Sequence, residues 1–125
     1  MKKVYICSPL GGDVSANLER AKQYARYVFS CGAAPVVPHF YALVLEDGNP
    51  EERQLGMQAG RSLLWLCDEL WIFGDHVSAG MREEIRFCQN LGLKIRTITE
   101  KQFASGKAPK NVTSTQRNRF VQQTL

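Results

Sequence analysis

Residues 3–12 read KVYICSPLGG, a short run of β-branched and aromatic residues that ends in a glycine-rich turn. The run 3–7 predicts a buried strand, and the adjacent glycines predict a tight turn into a helix. Apolar residues at helical spacing follow and predict a helix over roughly residues 15–31, with Asp13 or Ser15 as its N-cap and Gly32 as its stop. The chain therefore begins as a strand, a turn and a helix.

The rest of the chain continues this alternation of strands and helices. The further predicted elements are strands at 34–38, 69–73 and 94–98, helices at 51–67 and about 81–91, and a flap-like insertion at 40–50. Each connection between strands is long enough for a parallel pair. The pattern predicts an α/β protein: a single doubly wound domain, Rossmann-like or flavodoxin-like, with a parallel sheet of four or five strands.

The positive charge of the chain is concentrated at its C-terminus. The net charge is +4, and residues 106–125 contain Lys107, Lys110, Arg117 and Arg119 with no acidic residue. The first 105 residues are therefore neutral overall, which disfavours nucleic acid as a partner. We expect the α/β domain to cover residues 1–105 and residues 106–125 to form a basic, polar tail.

Cysteine usage and hydropathy indicate the compartment. Cys7, Cys31, Cys67 and Cys88 are widely separated, each in an apolar context, which is typical of reduced core cysteines rather than of disulfides or zinc ligands. No stretch approaches the ~20 apolar residues of a membrane helix, and the N-terminus does not resemble a signal peptide. We expect a cytoplasmic protein with no membrane contact.

Ligands of such sheets bind at the carboxyl ends of the strands, so the segments 8–13, 39–41 and 74–80 are candidates for a site. The glycines of the first segment suit either a structural turn or an anion-binding loop before a helix N-terminus. After the third segment, Glu83 and Glu84 are expected in the first turn of a helix. At 100° per residue Glu84 shares the face of Met81 and Cys88, whereas Glu83 faces solvent. The simpler explanation, a first-turn acid stabilised by the helix dipole, fits Glu83 better, because an inward carboxylate loses its hydration unless a site or a partner receives it.

Three motifs together resemble a known enzyme group. Residues 5–12 (YICSPLGG), His39 after the second strand, and the Ser78-x-Gly80-x-x-x-Glu84 helix start resemble the nucleoside 2-deoxyribosyltransferase superfamily, which includes the 2'-deoxynucleoside 5'-monophosphate N-hydrolases. The likeness spans residues 3–98. Residues 67–75 (CDELWIFGD) resemble uncharacterised bacterial and phage domains grouped with that superfamily.

The resemblance implies N-glycosidic bond cleavage or deoxyribosyl transfer on a nucleoside or nucleotide. It implies Glu84 as the nucleophile, as in retaining glycosidases, and requires no metal or other cofactor. The implied substrate-binding residues are Ser8, Pro9, Leu10, Gly11, Gly12, His39, Tyr41, Ser78, Gly80 and Met81. His39 and Tyr41 would contact the base, although a lone histidine is more often a structural hydrogen-bonding residue. A homo-oligomer is expected because family members commonly complete their sites at subunit interfaces.

One departure from the family pattern leaves the activity open. Gly60, followed by Arg61, stands where the superfamily usually has a catalytic aspartate. Asp75 could replace that acid or could simply be a turn residue, and Arg61 could pair with a phosphate or with a surface acid. The alternatives to an enzyme are a catalytically inactive nucleotide-binding or sensing module of the same fold and an assembly protein with a vestigial pocket.

Overall fold

A computed structural model describes residues 1–110 of the chain. Its elements in chain order are β1 (Lys3–Cys7), α1 (Val14–Ser30), β2 (Ala34–Val36), a 3-10 helix (Pro38–Leu43), α2 (Pro50–Leu64), β3 (Glu69–Phe73), α3 (Ala79–Leu91), β4 (Lys94–Ile98) and α4 (Glu100–Ser105). In this part of the chain the four strands form one sheet in the order β2-β1-β3-β4, and every pairing is parallel. The predicted α/β class with a parallel sheet is confirmed.

The sheet is covered on both faces, because successive apolar side chains of a strand point to opposite faces. On β1, Val4 and Ile6 pack in the core that includes α1, while Tyr5 and Cys7 pack in the core that includes α2 and α3. All four side chains are fully buried. The chain leaves β1 towards β2 and later returns to place β3 on its other side, so a crevice opens between the carboxyl ends of β1 and β3, where doubly wound proteins bind ligands.

Proline placement explains where the structure departs from the predicted second strand. β2 ends at Val36, not at residue 38, because Pro38 has no N–H for the sheet and instead opens the 3-10 helix. The predicted flap-like insertion contains most of this 3-10 helix. Asn49 then caps α2, because its side-chain oxygen accepts hydrogen bonds from the backbone amides of Glu51 and Glu52. Pro50 occupies the first helical position.

At the helices, the structure selects one of two predicted N-caps, corrects one helix start and adds a short helix. Of the two proposed N-caps of α1, Asp13 is the one used, and its carboxylate accepts from the Ala16 amide at 3.0 Å. α3 begins at Ala79, one residue after its N-cap Ser78, so Glu83 and Glu84 lie in the second turn and not in the first. The helix dipole acts mainly within the first turn, so it explains little of an acid at position 84. The short helix α4 was not predicted.

Part of the predicted tail contacts the domain. The Tyr27 hydroxyl donates to the Lys107 carbonyl at 2.7 Å, and Arg96 donates to the Lys110 carbonyl at 2.7 Å. The boundary at residue 105 stays a prediction, and the tail beyond residue 110 lies outside the described residues. The four cysteines are buried thiols, as expected. Within residues 1–110, no helix has the length and apolar character needed to cross a membrane.

Candidate functional site

A cleft of about 360 Å³ opens at the carboxyl ends of β1 and β3. Its floor comes from β1 and the start of α3, and its walls come from the glycine loop after β1, the 3-10 helix and α2. Of the residues expected to bind or act on a substrate, those that line the cleft are Ser8, Pro9, Leu10, Gly11, Gly12, His39, Tyr41, Ser78, Gly80, Met81 and Glu84. Segments that are far apart in sequence therefore converge on one cavity.

Glu84 places its carboxyl group on the floor of the cleft. The Tyr5 hydroxyl donates a short hydrogen bond to Oε2, and the Cys7 thiol lies 3.8 Å from Oε1. Burial raises the pKa of Glu84 to about 7, against the opposing effects of these two donors and of the Arg61 charge. The carboxyl group thus changes its ionisation near neutral pH, which is the range that suits a group in acid-base or nucleophilic chemistry.

Tyr5 and Gly60 fit together beside this carboxyl group. A β-carbon added at Gly60 would lie 3.0 Å from the Tyr5 hydroxyl and 3.5 Å from the β-carbon of Pro38. The buried glycine of α2 therefore leaves the space that the phenol needs to reach Glu84. Burial, reinforced by the Glu84 charge, raises the pKa of Tyr5, so the phenol stays protonated and donates.

His39 and Ser8 form a buried pair at the end of β1. The histidine Nε2 lies 2.9 Å from both the carbonyl and the hydroxyl oxygen of Ser8. Because a carbonyl only accepts, Nε2 carries the proton, and burial lowers the pKa of His39, which keeps the ring neutral. The pair fixes the 3-10 helix to the glycine loop. Contact of His39 with a base stays a prediction.

The glycine loop is held by a side chain of α1. The Asn17 amide donates to the carbonyls of Leu10 at 3.0 Å and Gly11 at 2.9 Å. In a trans peptide the C=O and N–H point in opposite directions, so the N–H groups of Gly11 and Gly12 point away from Asn17. Gly12 has a φ of 85°, a backbone conformation that favours glycine. With the α1 N-terminus next to it, this loop has the features of an anion-binding turn.

Residues at the start of α3 fix the position of the helix and also line the cleft. The Ser78 hydroxyl caps the helix by accepting from the Met81 amide at 3.3 Å. The Met81 side chain is 1% exposed and packs in the core below the cleft. Around Gly80 there is open space, since an added β-carbon would meet nothing within 4 Å. Ser78 and Met81 thus set where Glu84 lies along the floor.

The walls of the cleft also carry charged residues that the sequence did not assign to the site. Arg61 pairs with the exposed Glu83 at 3.0 Å. Of the two partners expected for Arg61, a phosphate or a surface acid, the structure shows the surface acid. Asp47, Glu52 and Arg53 line the same cleft. A β-carbon added at Gly11 would lie 3.6 Å from the Asp47 carboxylate, so this acid reaches the glycine loop. These residues follow turn signals or sit among exposed helix positions, where the sequence carries no signal of a site.

Asp75 does not join this cluster. It is exposed in the loop after β3 and is absent from the cleft lining. The structure therefore does not bring it to Glu84 as a replacement for the family aspartate. Among residues 1–110, no three histidine, cysteine or acidic side chains are arranged to hold a metal ion.

Comparison with known proteins gives one family and several structures of the same fold. A family model described as a domain of unknown function, DUF7768, matches residues 2–98. No curated protein gives a match. A 2-deoxyribosyltransferase from the psychrotolerant bacterium Bacillus psychrosaccharolyticus superposes with a TM-score of 0.63 at 19% identity, covering 78% of this chain and 72% of the enzyme.

A second solved structure, 2-deoxyribosyltransferase from Leishmania mexicana, gives a TM-score of 0.57 at 14% identity. The match covers 79% of this chain and 65% of that protein. At these identities the similarity shows a shared fold.

Proposed function

Because the chain belongs to the DUF7768 family and has the fold of 2-deoxyribosyltransferases, we propose that it cleaves the N-glycosidic bond of a deoxynucleoside or deoxynucleotide or transfers its deoxyribosyl group. One observation carries the proposal: Glu84 lies on the floor of the cleft with donors on both carboxylate oxygens and a pKa raised by burial to about 7. Such a group is ionised enough at neutral pH to act as a nucleophile, and it is positioned before substrate arrives.

The chemistry follows from the carboxylate. One oxygen of ionised Glu84 forms a bond to the anomeric carbon of the deoxyribosyl group while the carbon–nitrogen bond breaks, and the electron pair leaves with the base, which takes a proton from solvent or a cleft acid. Water or a second base then attacks the same carbon and releases the Glu84 carboxylate. A carboxylate suits this two-step path because the transition states have oxocarbenium character.

The remaining cleft residues support recognition of such a substrate. The glycine loop and the α1 N-terminus offer backbone donors for a sugar hydroxyl or a 5'-phosphate. Tyr41 lies on the wall formed by the 3-10 helix and offers a ring for the base. Arg53 on the cleft wall could pair with an anionic group of the substrate.

A release assay tests the proposal. Wild type, Glu84→Gln and the control Glu19→Gln are incubated with deoxynucleosides and deoxynucleoside monophosphates, with and without a second base, and the bases are separated by chromatography. Glu19 is exposed on α1, outside the cleft. We expect release by wild type and Glu19→Gln, with an acid limb near pH 7, and a loss of about a thousandfold or more in Glu84→Gln. Absence of release by folded wild type contradicts the proposal.

A nucleotide-binding module without catalysis is the second candidate. Gly60 favours it, because the hydroxyl of Tyr5 fills the space beside this glycine and α2 offers no acid there. Thermal stabilisation of wild type and Glu84→Gln by a nucleotide, without turnover of any substrate, would support this function instead.

A further inference from the structure

The thiol of Cys7 lies beside the carboxyl group of Glu84. Its sulfur is 3.8 Å from Oε1 and 3.9 Å from the main-chain carbonyl of Met81, both within reach of an S–H donor. The side chain is fully buried and lies on the same face of β1 as Tyr5. One thiol proton therefore has two acceptors.

The two oxygens of Glu84 are held unequally. The Tyr5 hydroxyl donates to Oε2, whereas Oε1 has a thiol donor, which is the weaker of the two kinds. Burial, reinforced by Glu84, raises the pKa of Cys7, so the sulfur keeps its proton at neutral pH. Oε1 has the weaker donor, so it loses its hydrogen bond more easily and can form a new bond more readily than Oε2.

We propose that Cys7 is a positioning residue that makes Oε1 the oxygen that bonds to the sugar; this rests on the proposed function. While the carboxylate is free, the thiol donates to Oε1 and fixes its direction. When Oε1 forms its bond to the anomeric carbon, the thiol proton turns to the Met81 carbonyl, which is already in place. No buried donor is left without an acceptor in the covalent intermediate, which avoids the cost of an unsatisfied polar group.

Few other charged or titratable groups act on this carboxyl group. Tyr5 and Cys7 face it from β1, and Arg61 contributes its charge from α2. On α3 itself, Glu83 is paired with Arg61. The further titratable residues that line the cleft are His39, Tyr41, Asp47, Glu52 and Arg53. Removing the thiol changes one of the two direct donors and leaves this surrounding charge unaltered.

The test is a titration of Glu84 that needs no turnover. The side-chain carboxyl carbons of glutamate are followed by NMR against pH in wild type, Cys7→Ala and the control Cys88→Ala, with the Glu84 signal assigned by its loss in Glu84→Gln. Cys88 is also fully buried in the same core cluster, so its truncation reproduces the loss of a core thiol. We expect the Glu84 midpoint to rise by about half a pH unit in Cys7→Ala alone.

A second readout uses the S–H stretching band of Cys7, assigned by its loss in Cys7→Ala. The band should shift as Glu84 ionises, because the thiol then donates to a charged oxygen. In the release assay, the acid limb of kcat/KM in Cys7→Ala should move with the NMR midpoint, and kcat should fall several-fold.

These outcomes separate the inference from the proposed function. If wild type releases no base while the midpoint and the S–H band both respond, the Cys7–Glu84 bond stands and the proposed function fails, and with it the choice of the attacking oxygen. If wild type is active but the midpoint, the band and the acid limb are unchanged, the role of Cys7 is overturned. If Cys7→Ala does not fold, the S–H band is assigned by its loss in Cys7→Ser, and a wild-type band that does not shift as Glu84 ionises overturns the role of Cys7.

Discussion

Replacing Glu84 by glutamine should stabilise the protein at and above neutral pH. Burial raises the pKa of this group to about 7 from an ordinary value of 4.5. A tenfold difference in proton affinity between the folded and unfolded states corresponds to about 1.4 kcal/mol, so the ionised carboxylate lowers the free energy of unfolding by about 3 kcal/mol. Glutamine has nearly the same shape, and its amide oxygen can still accept from Tyr5, but it carries no charge.

The sign follows from proton binding. The folded state holds the Glu84 proton more tightly than the unfolded chain does. The resulting stability is fully present below pH 4.5 and is lost as pH rises through 7. The difference between Glu84→Gln and wild type should therefore be small at pH 4.5 and reach about 3 kcal/mol at about pH 8.

Urea unfolding across this range measures the difference directly. Glu19→Gln is the control, since it removes an exposed carboxylate that pairs only loosely with Lys22, at 3.5 Å, and its effect should stay within about 1 kcal/mol. The prediction fails if the difference in free energy of unfolding between Glu84→Gln and wild type does not grow with pH. It also fails if wild type is the more stable protein at high pH.

Three further predictions concern groups around the site and below it. Tyr5→Phe removes the strong donor to Glu84 and should lower the release rate about 10- to 100-fold, with the acid limb moved to higher pH in the release assay. Gly60→Ala should lower the free energy of unfolding by about 1–3 kcal/mol and also reduce base release, because its β-carbon would crowd the Tyr5 hydroxyl. The control is Gly56→Ala, whose β-carbon would meet only a leucine side chain at 3.4 Å, so its effect on stability should be smaller. Glu69→Gln should destabilise the protein at neutral pH, because burial alone would raise the pKa of this acid but hydrogen bonds from two basic side chains and a tryptophan lower it to about 2. Urea unfolding should show that the difference is largest above pH 4.5 and disappears as pH falls towards 2.

Most of the fold could be predicted because its signals are local. Buried parallel strands appear as short apolar runs, and Gly32 and Gly92 mark helix ends. Two features were not predicted, because a short element or a single proline outweighs the apolar pattern. The helix α4 is six residues long, with no fully buried side chain, and is too short for a periodic pattern. β2 ended early because the hydrogen-bonding consequence of Pro38 outweighed the apolar pattern.

The candidate site could be predicted in part. Helical phase indicated that Glu84 faces inward, and the structure agrees. No role could be predicted for Tyr5 or Cys7, since the sequence of a strand buried on both faces does not reveal which of its side chains reaches a helix. Asp75 was chosen by its place in a loop near the motif, but loop position does not fix direction, and the structure leaves it in solvent.

The cost of Glu84 bears on the choice between catalysis and binding. A module that only binds a ligand could use glutamine at this position, with nearly the same shape, with the hydrogen bond from Tyr5 kept, and without the loss of stability at neutral pH. A carboxylate held in a buried setting, between a phenol and a thiol that both donate to it, adds a second acceptor oxygen and a negative charge, and so an ionised oxygen able to form a bond. Groups that lower stability in this way concentrate at functional sites. The arrangement of β1, Gly60 and α3 around Glu84 therefore supports a reactive carboxylate, even without an acid at position 60.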